Sequence, residues 1–175
     1  GSQGLSKIST LRSVGGVVRP GSPYATPEAE LVKLPGFSKD IKKSRDEARK
    51  LLKEAGQENL KFVLWNRNLA MPYTPAGIFL VDQWRQIGVT VEHKQSDTGA
   101  YLATMNAGNH DVAIDFSNLF MDDTSLGLAK YLSVTRAPEN RSRSKDETLD
   151  KLYDDHMRER DPAKRKAIVQ AFEKR

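Results

Sequence analysis

Three histidines and the adjacent aspartates Asp122 and Asp123 are residues whose types could serve catalysis or bind a metal ion. His93, His110 and His156 are far apart in the chain, and an isolated histidine is more often a surface or packing residue than a zinc ligand. Asp122 and Asp123 could form a carboxylate pair, but the side chains of adjacent residues diverge. The pair is better explained as the N-cap of a helix that we predict over Ser125–Leu132.

No catalytic motif accompanies these residues in the sequence. The chain has no cysteine, no serine in a nucleophile elbow, no P-loop and no GxGxxG fingerprint. The pair Gly15-Gly16 lacks the strand–turn–helix context of a phosphate-binding loop. We therefore predict a protein without enzymatic activity, cofactor or metal ion.

Two tryptophans could stack on a ligand instead. Trp84 falls on the apolar face of a predicted helix, which favours core packing. Trp65 falls near the end of a predicted strand, so that core packing and ligand stacking both remain open.

The segments that must position these side chains alternate between strand and helix. Period and composition predict three strands, Leu60–Asn66, Val89–Gln95 and Asp111–Phe116. Between them we predict a helix over Ala76–Gly88, with Ile78, Val81, Trp84 and Ile87 facing inward, and a second helix that begins at Asp97 or Thr98, carries Tyr101, Leu102 and Met105, and ends at Gly108.

Strand–helix–strand crossovers of this length join parallel strands. The predicted fold class is therefore α/β, with a parallel βαβ-type sheet flanked by helices. Ligands of such sheets gather at the carboxyl ends of the strands. The loops Asn66–Pro75 and Phe116–Ser125 are thus the candidate ligand-binding segments.

The flanking regions have a different character. Residues 1–43 are rich in glycine, proline and serine, which predicts an irregular leader that wraps over a domain of residues 44–175. A helix is predicted from a capping box of Ser44 and Glu47 to a stop at Gly56. Two more helices close the chain; the first presents Leu149, Leu152, Tyr153 and either His156 or Met157 on one side, and the second is opened by Asp161-Pro162 and carries Ile168, Val169 and Phe172.

The formal net charge of +5 raises an alternative, a basic nucleic-acid-binding α/β module. Lysine and arginine alternate with aspartate and glutamate in SRDEARKLLKEAG and in DDHMRERDPAKRKA. That alternation is typical of solvated helix faces, and it favours a protein that does not bind nucleic acid.

Several sequence blocks share one further pattern. They are the leader RPGSPYATPEAELVKLPGF, the helix EARKLLKEAG, the run MPYTPAGIFLVDQWRQIGVTVEHKQSDTGAYLATMNAGNHDVAI and the closing LDKLYDDHMRERDPAKRKAIVQAFE. In this order they resemble the dipeptide/oligopeptide/nickel class of extracellular solute-binding proteins of ABC transporters, family 5. The resemblance implies one C-terminal lobe of a type II periplasmic-binding-protein fold, as a fragment of a larger protein.

The resemblance also implies a function. Such a lobe captures a small solute, peptide-like or another organic molecule, in a cleft between two lobes and delivers it to a membrane permease. The expected location is periplasmic, or extracellular with a lipid anchor. Taken alone, the lobe is expected to expose cleft-side apolar surface and could self-associate.

The family pattern also suggests the site residues. Peptide-binding members carry a polar residue before a Pro-Tyr-like pair, where this chain has Met71, and an aspartate after the third strand, where it has Leu119 or, with a shifted alignment, Asp115 or Asp122. Without partners, burying the charged termini of a peptide would cost several kcal/mol, about 3 or more. We therefore expect a non-peptide or terminally blocked solute, bound by Trp65, Asn66, Asn68, Met71, Tyr73, Phe116, Asn118 and Leu119.

Overall fold

The computed structural model describes residues 2–8, 14–115 and 123–175. Their contacts divide the chain into two compact units. The first comprises Gly1–Val14 and Val32–Phe116, and the second comprises Gly15–Leu31 and Ser117–Arg175. Within the described residues, no helix is both long and apolar enough to cross a membrane. The domain boundary expected at residue 43 stays a prediction.

The first unit is built on a three-stranded parallel sheet of order β2-β1-β3. This arrangement confirms the α/β class and the βαβ connections predicted from the sequence. The elements are α1 (Ser2–Ile8), α3 (Ile41–Glu54), β1 (Lys61–Arg67), α4 (Tyr73–Arg85), β2 (Thr90–Ser96), α5 (Thr98–Ala107) and β3 (Val112–Ala113), with α2 (Glu28–Leu31) assigned to the second unit.

The central strand β1 is paired very differently on its two sides. It runs in register with all of β2, from Lys61 opposite Thr90 to Arg67 opposite Ser96. Strand β3 contributes only two paired residues, so the prediction of a strand over Asp111–Phe116 is wrong in length. The carboxylate of Asp111 accepts the Val63 N–H (3.0 Å) at the start of β3, so a side chain takes the place of a ladder bond there.

Helix α4 begins earlier than predicted and turns a different face to the sheet. Its buried residues are Tyr73, Ala76 and Gly77, whereas Ile78 is 60% exposed, so the prediction of an inward Ile78 is wrong. The absence of a side chain at Gly77 lets the helix approach the sheet closely, and this approach sets the buried face. Trp84 is half-buried, with its ring edge-on to Phe62 at 5.0 Å between centroids, a packing role as predicted.

The predicted capping box of α3 is also wrong. The N-cap is Asp40, whose carboxylate accepts the Lys43 N–H (2.9 Å), so the helix begins at Ile41. Ser44 lies inside the helix, and its hydroxyl donates to the carbonyl of Asp40 (2.9 Å). The stop at Gly56 is confirmed, because that residue has φ of +64°.

The second unit packs three helices around a small apolar core. They are α6 (Thr124–Ala129), α7 (Glu147–Arg158) and α8 (Pro162–Lys174). Asp123 caps α6 and Asp161 caps α8, both as predicted, although α6 ends before Leu132. Asp122 lies outside the described residues. The buried cluster consists of Val18, Leu128, Val169 and Phe172.

Candidate ligand-binding site

The carboxyl end of β1 brings Trp65, Asn66 and Arg67 to the edge where ligands of parallel sheets bind. Successive side chains of a strand point to opposite faces, so Asn66 lies on one side while Trp65 and Arg67 lie on the other. Trp65 is half-buried, and the ammonium of Lys94 lies 5.5 Å from the centroid of its ring. Trp65 therefore keeps part of its ring accessible at this edge.

Asn66 lies inside the unit, with 0% of its surface exposed. Its amide nitrogen donates to the carbonyl of Arg67 (2.9 Å), and its amide oxygen accepts from Nε2 of His93. A Cβ at Gly77 would lie 2.5 Å from that Nε2, so α4 is seated directly on the pair. Burial lowers the pKa of His93. Asn66 thus joins β1, β2 and α4.

Arg67 is the residue at this edge that the sequence reasoning missed. Its guanidinium lies between two aromatic rings, 5.2 Å from the centroid of Tyr73 and 5.3 Å from that of Tyr101. Its Nη2 donates to Oδ1 of Asp115 (3.1 Å), and the two side chains are only 16% and 28% exposed. A cation held on three sides is pre-organised, and its charge is compensated. The signal available in the sequence was its position directly after the predicted strand Leu60–Asn66.

Replacing Arg67 by glutamine is expected to lower the free energy of unfolding of the first unit by about 1–3 kcal/mol, because Asp115 loses its partner and both rings lose their cation. Chemical denaturation followed by circular dichroism measures the change. Lys94→Gln is the matched control, since Lys94 also lies over a ring and pairs with Glu92, but both side chains are exposed. It should cost less than about 0.5 kcal/mol. Equal effects of the two substitutions would contradict the structural role of Arg67.

The segment from Asn68 to Tyr73 joins β1 to α4. The backbone N–H of Asn68 donates to the carbonyl of Ser96 (2.7 Å), which extends the pairing of β1 with β2 past the strand end. Asn68 is exposed and Met71 is 52% exposed, whereas Tyr73 is 2% exposed and packs inside under Arg67. Asn68 and Met71 are therefore accessible to a ligand, and Tyr73 supports the edge from within.

Five of the eight predicted site residues therefore lie at or near the carboxyl end of β1. These are Trp65, Asn66, Asn68, Met71 and Tyr73. Phe116, Asn118 and Leu119 lie outside the described residues. In the described part of the chain, no group of three histidine, aspartate or glutamate side chains is arranged to hold a metal ion.

A second polar cluster, which no local sequence pattern predicts, lies in the second unit. Ser125 Oγ is 3.1 Å from Nε2 of His156, which resembles a nucleophile and its base. The Nε–H of Arg165, however, donates to Nδ1 of His156 (3.1 Å), so the proton of the neutral imidazole resides on Nε2. An imidazole in that form donates to the serine and cannot take its proton. Both side chains are also buried, at 8% and 1% exposure.

The fold defines the class of protein. A parallel sheet flanked by helices is the fold of one lobe of type II periplasmic binding proteins. The family model described as bacterial extracellular solute-binding proteins, family 5 Middle, matches residues 13–138, more than half of the chain. The chain therefore belongs to the family 5 extracellular solute-binding proteins. A comparison with curated proteins finds no match.

Solved structures agree with this assignment. The chain is similar to the Escherichia coli murein tripeptide binding protein MppA, with 25% identity, a TM-score of 0.71, and coverage of 79% of this chain and 28% of that chain. It is similar in fold to the Listeria monocytogenes substrate binding protein CtaP (20% identity, TM-score 0.76, covering 98% and 35%). The same holds for Haemophilus influenzae OppA in complex with RPPGFSPFR (21% identity, TM-score 0.71, covering 85% and 31%).

The chain is much shorter than the solved proteins that it resembles. It spans about a third or less of the length of those three proteins, between 28% and 35%.

Proposed function

We propose that this chain is a ligand-binding lobe of an ABC-transporter substrate-binding protein, which captures a small solute for delivery to a membrane permease. The observation that carries the proposal is the family match over residues 13–138. In such proteins two lobes close on the solute like a hinge, and the closed form docks on the permease. The proposal includes a periplasmic or lipid-anchored location and a role without catalysis.

Within this lobe, we place the solute at the carboxyl edge of β1. Trp65 supplies an accessible aromatic face, and Met71 supplies an exposed apolar side chain. Asn68 offers a neutral hydrogen-bonding group, while Asn66 and Tyr73 hold the edge from inside. Phe116, Asn118 and Leu119 complete the proposed set.

The same edge favours a solute without free charged termini. Arg67 is already compensated by Asp115, and Lys94 pairs with Glu92 (3.2 Å). A free carboxylate or ammonium would have to compete for a member of the Arg67–Asp115 pair, at a desolvation cost of about 1–3 kcal/mol. A blocked or non-peptide solute avoids that competition. MppA and OppA are described with a tripeptide and with RPPGFSPFR, respectively, so a peptide is the competing ligand class.

The basic residues of α3 support this function over nucleic-acid binding. Lys42 and Arg49 both pair with Asp46, and Lys50 pairs with Glu54. These solvated pairs compensate part of the positive charge of the helix, in the alternating pattern of a solvent-exposed face.

A substitution at Trp65 tests the proposed site. In the complete parent protein, Trp65→Ala is expected to weaken solute binding about tenfold or more, because a stacking face is lost. Isothermal titration with a solute found by thermal-shift screening measures the change. Trp84→Phe is the matched control, since Trp84 packs on Phe62 and should leave the affinity within about twofold. Equal affinities of wild type and Trp65→Ala would remove Trp65 from the site.

A further inference from the structure

Residues 15–31, which we call the strap, form a separate segment of the second unit. In sequence both ends of the strap continue into the first unit, but its contacts assign it to the second. Apart from the four-residue helix α2, it has no regular secondary structure, so its backbone is not held by a helix or sheet ladder. Its attachment to the second unit therefore depends on a few side chains, which fall into two groups.

The first group centres on Glu173 of α8. One carboxylate oxygen accepts the backbone N–H of Val18 (2.7 Å), and the other accepts the hydroxyl of Thr26. Gly16 passes so close to this carboxylate that a Cβ there would overlap it. Val18 itself is 6% exposed and belongs to the apolar core. One acidic side chain thus ties down two separate points of the strap.

The second group centres on His156 of α7, beneath Tyr24 of the strap. The ring of Tyr24 meets the imidazole edge-on at 6.5 Å between centroids, and the guanidinium of Arg165 lies 5.2 Å from the centroid of the same ring. Tyr24 therefore rests on a surface made by a neutral histidine and an arginine. Any change that separates His156 from Arg165 removes that surface.

The hydrogen bonds of this cluster run in one direction only. Arg165 Nε donates to Nδ1 of His156, Nε2 of His156 donates to Ser125 Oγ, and the backbone N–H of Ser125 donates to the carboxylate of Asp123 (2.7 Å). The site for an added proton is therefore Nδ1, the atom that accepts from Arg165. Protonation there would place an N–H against an N–H and two cations in contact inside the unit.

The charged and titratable groups around His156 on each packed element favour its neutral form. Burial and the positive charge of Arg165 on α8 lower the pKa of His156, and the opposing effect of Asp123 before α6 is smaller. Tyr24 of the strap and Tyr153 of α7 present rings rather than charges. Arg165 occupies Nδ1 and Ser125 occupies Nε2, so both nitrogens of the imidazole are already hydrogen-bonded.

We propose that Ser125, His156 and Arg165 form an acid-sensitive latch, in which uptake of a proton by Nδ1 of His156 expels Arg165 and releases the part of the strap around Tyr24 from α7 and α8. A cavity of about 60 Å³ lies between strap residues Val17, Val18, Arg19 and Ser22 and helix α6. That volume accommodates water, so the strap has space to separate without first breaking a close-packed contact along its whole length.

The direction of the pH dependence follows from linkage. The pKa of His156 in the closed form lies below the ordinary value of 6.5. Well above pH 6.5 the imidazole is therefore neutral in both the closed and the released form, and the pH does not affect the latch. As the pH falls below 6.5, the released form takes up the proton first and becomes favoured. The equilibrium constant for release then rises by up to about tenfold per pH unit, the limit for one proton.

Hydrogen exchange of the full chain, measured by mass spectrometry at about pH 7.5 and about pH 5.5 and corrected for intrinsic rates, tests the latch. Protection of the strap amides around Tyr24 is expected to fall by up to about tenfold at the lower pH in the wild type. In His156→Gln the strap should stay protected at both values, because a glutamine oxygen accepts from Arg165, its nitrogen donates to Ser125, and neither titrates. His93→Gln, the same change in the first unit, should keep the wild-type pH response.

Two results would overturn the proposal. One is equal protection of the wild-type strap at both pH values, and the other is the same acid-induced loss in His156→Gln. If that variant does not fold, nitrogen NMR of the wild-type imidazole decides. Nδ1 without a proton at neutral pH, gaining one as the strap opens, supports the latch. A protonated Nδ1 at neutral pH contradicts it, because that atom could not then accept from Arg165.

Discussion

Replacing Gly77 by valine is expected to lower the free energy of unfolding of the first unit by about 3 kcal/mol or more. A Cβ at this position would lie 2.5 Å from Nε2 and 2.7 Å from Cε1 of His93, and 3.2 Å from the amide oxygen of Asn66. Neither neighbour can move freely, because His93 and Asn66 are hydrogen-bonded to each other between β1 and β2. Valine would therefore push α4 away from the sheet and disturb the edge that carries the site.

Urea denaturation of the purified chain measures this cost, and two controls make the result specific. Ile78→Val changes the adjacent residue, which is 60% exposed, and should cost less than about 0.5 kcal/mol. In a His93→Ala background, where the imidazole is absent, Gly77→Val should cost distinctly less than in the wild type. If the cost were the same in both backgrounds, the close approach of α4 to His93 would not be its cause.

Replacing Tyr101 by alanine is expected to lower the free energy of unfolding of the first unit by a comparable amount, about 3–5 kcal/mol. Its side chain is fully buried, its hydroxyl donates to the carbonyl of Ile114 (2.9 Å), and its ring flanks the guanidinium of Arg67. Tyr101 therefore joins α5 to the end of β3 and to the charged pair at the sheet edge. Tyr101→Ala leaves a large cavity and removes the wall behind Arg67.

Tyr101→Phe separates the two contributions of this side chain. The phenyl ring keeps the packing and the contact with Arg67, so only the hydrogen bond to Ile114 is lost, at a cost of about 1 kcal/mol. Thermal or urea denaturation of the two variants compares them directly. If phenylalanine were as damaging as alanine, the hydroxyl rather than the ring would hold this part of the unit.

The order of strands and helices could be predicted because each segment carries a local signal. Alternation marked β2, apolar composition marked β1, and Asp97, Asp161 and Gly108 marked helix ends with short-range chemistry. The two failures have different origins, one local and one tertiary. The start of α3 moved because Asp40 competed with Ser44 for the cap, and the face of α4 shifted because Gly77 accommodates the imidazole of His93.

The candidate site was harder to predict than the fold. Sequence spacing could place Trp65 and Asn68 near a strand end, but it could not show that Asn66 and Tyr73 turn inward. The pairing of Arg67 with Asp115 joins residues on two strands, and the contact of Ser125 with His156 joins two helices. Such long-range pairs leave no local pattern in the sequence. The charge compensation of Arg67 and the buried cluster around His156 therefore could not be predicted without the folded structure.

The central claim, solute capture at a charge-compensated sheet edge, is tested most directly by native mass spectrometry of the complete parent protein, purified without refolding. The predicted result is a retained small molecule without free amino and carboxyl termini, which is displaced from Trp65→Ala but not from Trp84→Phe. A retained free peptide of ordinary zwitterionic form, bound equally by both variants, would contradict the account of this edge.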